Sequence, residues 1–237
     1  MAQNRRDRTN PVINMQYPFS LTLPAMASIE ATLSSARLAR FLPEAKGNRQ
    51  LAIRLHVWNA RLCESFYLPA QFAEVAARNA IQKPVVRRFS SQWYENRAFQ
   101  NILPPRLEEE LIRVVSEEQR ARGMSFTVDH VVAALSFGFW LNLLTSSYEK
   151  HLWAIGLRGS FPHLPGTLKR EDVYKALDQL RRFRNKIAHH SAIFDKRPRA
   201  EHANVLEVIG WICSDTRWLV SELTYFERVL GRKPRSV

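Results

Sequence analysis

Seven consecutive residues late in the chain carry groups that could act on a phosphodiester. Residues 184–190 read Arg-Asn-Lys-Ile-Ala-His-His, which brings a guanidinium, an amide and two imidazoles within about two helical turns. Arginine binds phosphate oxygens through a planar pair of donors. Histidine is the side chain best suited to proton transfer near neutral pH. Because metal-free RNA cleavage needs a cation on the phosphate beside a proton shuttle, the segment predicts that chemistry.

These residues follow a helical pattern that begins at Asp172 and predicts how they are presented. On a helix with 100° per residue, five apolar positions fall within about 80° of each other and form a core face. They are Val173, Ala176, Leu180, Phe183 and Ile187. His189, with Asn185 on the same side, is predicted to face outward and to do the chemistry. His190 falls beside the core face and is predicted to be a packed structural residue.

Arg184 and His189 lie about 140° apart on the same ideal helix, so one straight helix cannot direct both at one atom. Two alternatives remain open: the helix ends or bends near Ala188, or a second copy of the chain completes the site. A symmetric dimer would place two such helices face to face, provided that a self-complementary patch surrounds them. A simpler interpretation is a cationic helix end that balances the helix dipole.

The neighbouring residues are strongly basic. Asp195 is the only acid from Arg181 to Arg199. Four cations are predicted to bind RNA: Arg181, Arg182, Lys196 and Arg197. Lys186 and His190 are predicted to support the site. The whole chain has 35 Lys and Arg against 22 Asp and Glu, a formal net charge of +13, which favours nucleic acid as a partner first and an anionic membrane second. A solvated basic face is the alternative.

With Ile193-Phe194 after it, the segment Arg-Asn-Xaa-Xaa-Ala-His-His resembles the Abi-like (abortive infection) family of the HEPN superfamily, whose signature is an arginine followed by a histidine after four to six residues. Further matching segments lie in the N-terminal half: Trp58-Asn59, Glu74-Val75 and Arg78-Asn79-Ala80-Ile81. The resemblance covers roughly residues 29–230. The short signature is weakly specific, and the longer segment with its N-terminal companions is moderately specific.

The resemblance implies an all-α helical bundle that dimerises across the signature and a metal-independent endoribonuclease of phage-defence or toxin type. Arg184 would bind the scissile phosphate, His189 would act as general acid or base, and Asn185 would orient the site. An antitoxin or another regulatory protein is a possible partner. The chain departs from the family at Ser191-Ala192, where relatives commonly have an acid and a proline. A non-catalytic RNA-binding or protein-interaction module is the alternative function.

The rest of the chain predicts helices and loops only, hence an all-α fold. Four regions are expected: a basic arm over residues 1–24, an N-terminal helical region over 25–104 packed on the bundle, a HEPN-like domain over 105–230 and a basic tail over 231–237. Within them the helices are expected at 28–42, 49–66, from 70 to about 81, 106–122, 128–153, 167–187 and 199–230. Thr127 and Thr167 are expected to cap the helices that follow them. Glu74 and Arg78, four residues apart on one helix, are expected to form an ion pair. Residues 83–105, with four aromatics, are expected to form a linker or loop.

Several classes of protein are excluded by what the sequence lacks. Cys63 and Cys213 have no zinc-site spacing and are expected to be free thiols in a reducing cytoplasm. No glycine-rich phosphate loop or nucleophile elbow occurs, and no metal or cofactor is expected. The N-terminus predicts no signal peptide, and the longest apolar run, 131–144, is too short to span a bilayer. A cytoplasmic protein without a membrane partner is expected.

Overall fold

The computed structural model describes residues 21–235, and within that range all regular structure is helical. The predicted all-α fold is therefore confirmed. The α-helices are α1 Leu23–Leu33, α2 Ser35–Ala39, α3 Arg49–Ser65, α4 Tyr67–Phe89, α5 Arg97–Gln100, α6 Pro105–Arg122, α7 Val128–Ala134, α8 Phe137–Asn142, α9 Arg170–Ala188, α10 Pro198–Ile212, α11 Ser214–Leu223 and α12 Phe226–Leu230. Most of the predicted arm, residues 1–20, and the last two residues lie outside the described range.

The described residues divide into two compact units. Residues 21–59 together with 227–235 form the smaller one. Its apolar centre contains Met26, Leu38 and Ile53. The Trp58 indole N–H donates to the Val229 carbonyl oxygen at 2.8 Å and ties α3 to α12. No helix among residues 21–235 combines the length and the apolar character that crossing a bilayer requires.

The larger unit, Ala60–Phe226, has its core around α4. Four alanines of this helix, spaced three or four residues apart, are buried and allow α10 to pack closely on it. They are Ala70, Ala73, Ala77 and Ala80. Since Lys83 to Phe89 continue α4 through an internal Pro84, the predicted linker over 83–105 is wrong at its start. Its aromatics, Phe89, Trp93, Tyr94 and Phe99, are buried in the same core.

Several long predicted helices are broken where the backbone needs a new cap. The first begins at Leu23 rather than Ser28, and it ends at Leu33, because the next residue, Ser34, has a positive φ of 73°. The apolar segment 128–153 is capped by Thr127 as predicted, but it stops at Ala134 because Leu135 is extended and the Ser136 hydroxyl caps α8. The segment 199–230 breaks at Cys213, which is extended and caps α11.

Helix α9 carries the predicted site. Its N-cap is Lys169 rather than Thr167, and the Asp172 carboxylate accepts from the Lys169 backbone N–H at 2.8 Å. The predicted core face is largely confirmed, since Val173, Leu180 and Phe183 are buried. Phe183 packs edge-on against Phe66, with 4.8 Å between the ring centroids. These contacts hold the C-terminal turn of α9 in place.

Candidate active site

Helix α9 ends at Ala188 through a backbone hydrogen-bond pattern that closes a helix on a left-handed residue. The His190 N–H donates to the Ile187 carbonyl oxygen, and the Ser191 N–H to that of Lys186, each at 2.9 Å. His190 takes the left-handed position with φ 55°. The sequence left open whether the helix ends near Ala188 or a second copy of the chain completes the site. The helix does end at Ala188.

The two histidines have different backbone environments. His189 is the C-cap residue of α9, and its side chain is exposed, as predicted. His190 is exposed as well, so its prediction as a packed residue is wrong. The helical wheel misplaced it because the chain leaves the helix one residue earlier. A non-glycine residue with positive φ is strained by its Cβ, which makes His190 a costly choice at this position.

Arg184 is held by a carboxylate from α4. Its Nε lies 3.2 Å from Glu74 Oε2 and its Nη2 lies 3.5 Å from Glu74 Oε1. The carboxylate therefore occupies the side edge of the guanidinium. On the other side, Arg184 Nη1 donates to Asn185 Oδ1 at 3.4 Å. With 47% of its side chain exposed, Arg184 remains accessible to a ligand from solvent.

Glu74 also forms an ion pair with Arg78, the pair that the sequence predicted. Arg78 Nη1 donates to the Ala133 carbonyl oxygen at 2.7 Å, which ties α4 to α7. The side chains of Glu74 and Arg78 are only 12% and 16% exposed. Arg78, Glu74 and Arg184 thus form a network of two cations and one anion with a formal surplus of one positive charge. The contact between Arg184 and Glu74, which are 110 residues apart in sequence, was not predicted.

An apolar cleft of about 440 Å³ lies beside this network. Its walls come from α4 and from the last turn of α9. Tyr67 and Val75 lie along it and are 73% and 49% exposed. Ile187, which the sequence assigned to the core face, lines the same cleft and is only partly buried. Arg184 therefore stands at the edge of an exposed apolar surface.

The four cations predicted to bind RNA are mostly paired with acids. Arg181 donates to Asp178 at 2.7 Å and 2.9 Å, and Arg182 Nε lies 2.6 Å from the same carboxylate. Lys196 contacts Asp195 at 3.3 Å. The surface is less basic than the sequence of residues 181–199 indicated, because Asp178, which pairs with two of the arginines, lies just before that segment.

Two predicted cations, Arg197 and Lys186, form no ion pair with another residue in the range 21–235. Arg197 is exposed and caps α10 with a left-handed backbone, φ 50°. Lys186 is exposed on α9 and lies near Glu201, whose carboxylate accepts from the Gln179 amide at 3.1 Å. Burial raises the pKa of Glu201, and the hydrogen bond from Gln179 and the charge of Lys186 oppose that rise.

The described residues near the site include no activated thiol and no cluster of metal ligands. Among residues 21–235, no three His, Cys, Asp or Glu side chains cluster as metal ligands would. Both cysteines are free, as predicted. Burial raises the pKa of Cys63 to about 11, which leaves a poor nucleophile. The hydrogen bond from Thr216 lowers the pKa of Cys213, which lies on the separate α10–α11 turn.

Comparison with known proteins gives no relative. No protein-family model matches the chain, and no curated protein or solved structure matches it significantly. The resemblance of residues 184–194 to the Abi-like family therefore stays a prediction that those residues carry. What the site can do follows from its own geometry.

Proposed function

We propose that this protein is a metal-independent endoribonuclease of bacterial phage-defence or toxin type, with its site shared between two copies of the chain. One observation carries the proposal: Arg184 and His189 are both exposed at the end of α9, where Glu74 fixes the guanidinium by its side edge. With the side edge held by Glu74, an oxyanion would meet Arg184 at its end-on donors, Nη1 and Nη2.

In this chemistry Arg184 would bind the two non-bridging oxygens of the scissile phosphate through Nη1 and Nη2. His189 would remove the proton from the RNA 2′-hydroxyl, whose oxygen then attacks phosphorus. The bond from phosphorus to the 5′-oxygen breaks, and a protonated imidazole returns a proton to that leaving oxygen. The products are a 2′,3′-cyclic phosphate and a 5′-hydroxyl. Arg184 would stabilise the negative charge that grows on the phosphate.

A dimer supplies what a single helix lacks. His189 directly follows the last residue of α9, so ideal helix geometry separates it from Arg184 by about 140°. The histidine that serves one arginine would therefore come from the partner copy. The exposed side chains of Tyr67 and Val75 give the region around Arg184 an apolar patch that such a dimer would bury. In a two-fold arrangement the same patch meets itself, which is the self-complementarity that a symmetric interface needs.

A binding module without turnover is the second candidate. The pairing of Arg184 with Glu74 favours it, because a guanidinium that already has a carboxylate partner can serve structure alone. In that case RNA would bind with an affinity that falls steeply as the salt concentration rises, and it would stay intact.

The test compares the wild type with Arg184→Ala and His189→Ala on total cellular RNA in EDTA. Lys175→Ala is the matched control, because Lys175 lies on the same helix, is 65% exposed and pairs with Glu171 instead of Glu74. We expect the wild type and Lys175→Ala to produce fragments with cyclic phosphate ends, and the other two variants to produce none. Cleavage that requires a metal, or full activity in Arg184→Ala, would contradict the proposal. Intact RNA with salt-sensitive binding would favour the module.

A further inference from the structure

A groove on α10 and α11 contains an exposed tryptophan. Trp218 is 63% exposed, whereas each of the other five tryptophans is buried or partly buried. The groove has a volume of about 530 Å³, and Trp211, Arg217 and Glu207 also line it. A large aromatic face left in solvent is unusual for a side chain that gains so much from burial.

Arg217 lies on the same groove and is placed there by a glycine. A Cβ on Gly210 would come within 2.8 Å of Arg217 Cδ, so a side chain at residue 210 would displace the arginine stem from its place against α10. The guanidinium is exposed, and within residues 21–235 no carboxylate lies within 4.0 Å of it. This distinguishes Arg217 from the paired arginines 181, 182 and 184.

We propose that this groove binds one unpaired nucleotide of a single-stranded RNA, with its base stacked on Trp218 and a phosphate held by Arg217. Every base has a π-face, and stacking on an exposed aromatic is how single strands are held without regard to sequence. An unpaired guanidinium beside the ring supplies the charge that the phosphate needs. The proposal rests on RNA as the ligand of the proposed function, and it adds a second contact outside the α9 site.

The composition of the rim argues for a nucleotide rather than a protein segment. The groove is lined by Ser214, Ser221, Glu207 and Arg217, and by Trp211, Pro165 and His163 beside Trp218. A purely apolar lining, from which water is excluded, would suit the anchor of a protein partner. The mixture of aromatic surface, serines and an arginine suits a ligand that is flat and apolar at the base and anionic at the phosphate, and Glu207 is the one acid in the lining. The chain's net charge of +13 favours the same kind of ligand.

The structure also provides the assay, since Trp218 is far more exposed than the other five tryptophans. The probe is an octamer of 2′-O-methyladenosine, which cannot be cut through its blocked 2′-oxygen. We expect the octamer to quench the emission of the full chain in a saturable way and to shield it from acrylamide. Arg217→Ala and Trp218→Leu, the latter followed by anisotropy of a labelled octamer, should each raise Kd about tenfold.

Two further variants sharpen the result. Gly210→Ala keeps every charge and displaces Arg217, so it should weaken binding as well. Leu223→Ser changes an exposed residue of α11 outside the groove and should leave Kd unchanged. Equal affinity in the wild type, Arg217→Ala and Gly210→Ala, or no change in Trp218 emission at saturating octamer, would overturn the proposal. So would shielding of Trp218 that depends on protein concentration alone, which would indicate contact with a second copy.

The two proposals can fail separately. Cleavage of cellular RNA that is lost in Arg184→Ala, with no quenching of Trp218, would reject this groove and leave the nuclease. Quenching of Trp218 by the octamer, with no cleavage by the wild type, would reject the nuclease and leave the groove.

Discussion

Glu74 should couple more strongly to Arg78 than to Arg184, although it contacts both. The Arg78 side chain is 16% exposed and its partner Glu74 12%, so water screens their attraction weakly. Loss of one member from a buried pair costs about 3–5 kcal/mol, whereas exposed pairs contribute about 0.2–1 kcal/mol. With 47% of Arg184 exposed, we expect a coupling energy of about 2–3 kcal/mol for Arg78 and below about 1 kcal/mol for Arg184.

Two double-mutant cycles measure these energies. The single variants are Glu74→Gln, Arg78→Met and Arg184→Met, and each cycle adds the corresponding double variant. Urea unfolding gives the free energy of unfolding of each, and a change of 1 kcal/mol shifts Tm by about 2–4 °C in a unit of this size. Added salt should reduce the Arg184 coupling first, because the exposed pair is the one that ions screen.

The cycles also test whether Arg184 can bind a phosphate while Glu74 holds its side edge. Weak coupling means that Glu74 orients the guanidinium without committing its charge to the stability of the fold. An Arg184 coupling as large as that of Arg78 would refute the reasoning, since the guanidinium would then be locked into the fold and unsuited to binding a substrate.

Three further results are expected. His190→Gly should raise the free energy of unfolding by about 0.5–1 kcal/mol in urea titration, because glycine removes the strain of the positive φ; a loss of stability would show that the imidazole contributes more than the strain costs. The folded-state pKa of Glu201 is raised above its ordinary value of 4.5 by burial, so its charge destabilises the fold above that pKa, and stability is regained as pH falls through it. Glu201→Gln should therefore stabilise the protein at pH 7 and lose this advantage below about pH 4, and a gain that is constant with pH would contradict the assignment. Iodoacetamide at pH 8 should alkylate Cys213 well before Cys63, as mass spectrometry of peptides would show; the reverse order would contradict the burial of Cys63.

The sequence predicted α9 well because its information is local. Apolar residues three and four positions apart defined the buried face that includes Leu180 and Phe183, and this pattern depends only on helix geometry. The same reasoning failed at His190, two residues beyond the helix end. A left-handed position usually holds glycine, and histidine gives no signal that the chain turns there.

Contacts between distant segments could not be read in this way. The Glu74–Arg78 pair was predicted from its spacing of four, but the link from Glu74 to Arg184 joins two helices and depends on how they pack. Hydrophobicity similarly showed that residues 128–153 are mostly buried without showing where the backbone breaks. The helix breaks after Ala134, where Ser136 caps a new helix. A single serine within a long apolar segment is a weak sequence signal for such a break.

The claim that two copies share one site is tested most directly by mixing two inactive proteins. Arg184→Ala and His189→Ala are unfolded together, refolded as a mixture and assayed on RNA in EDTA. If the arginine of one copy works with the histidine of the other, mixed dimers contain one intact site, and random pairing should restore about a quarter of wild-type activity. A mixture as inactive as either parent, beside an active wild type refolded in the same way, would contradict the shared site.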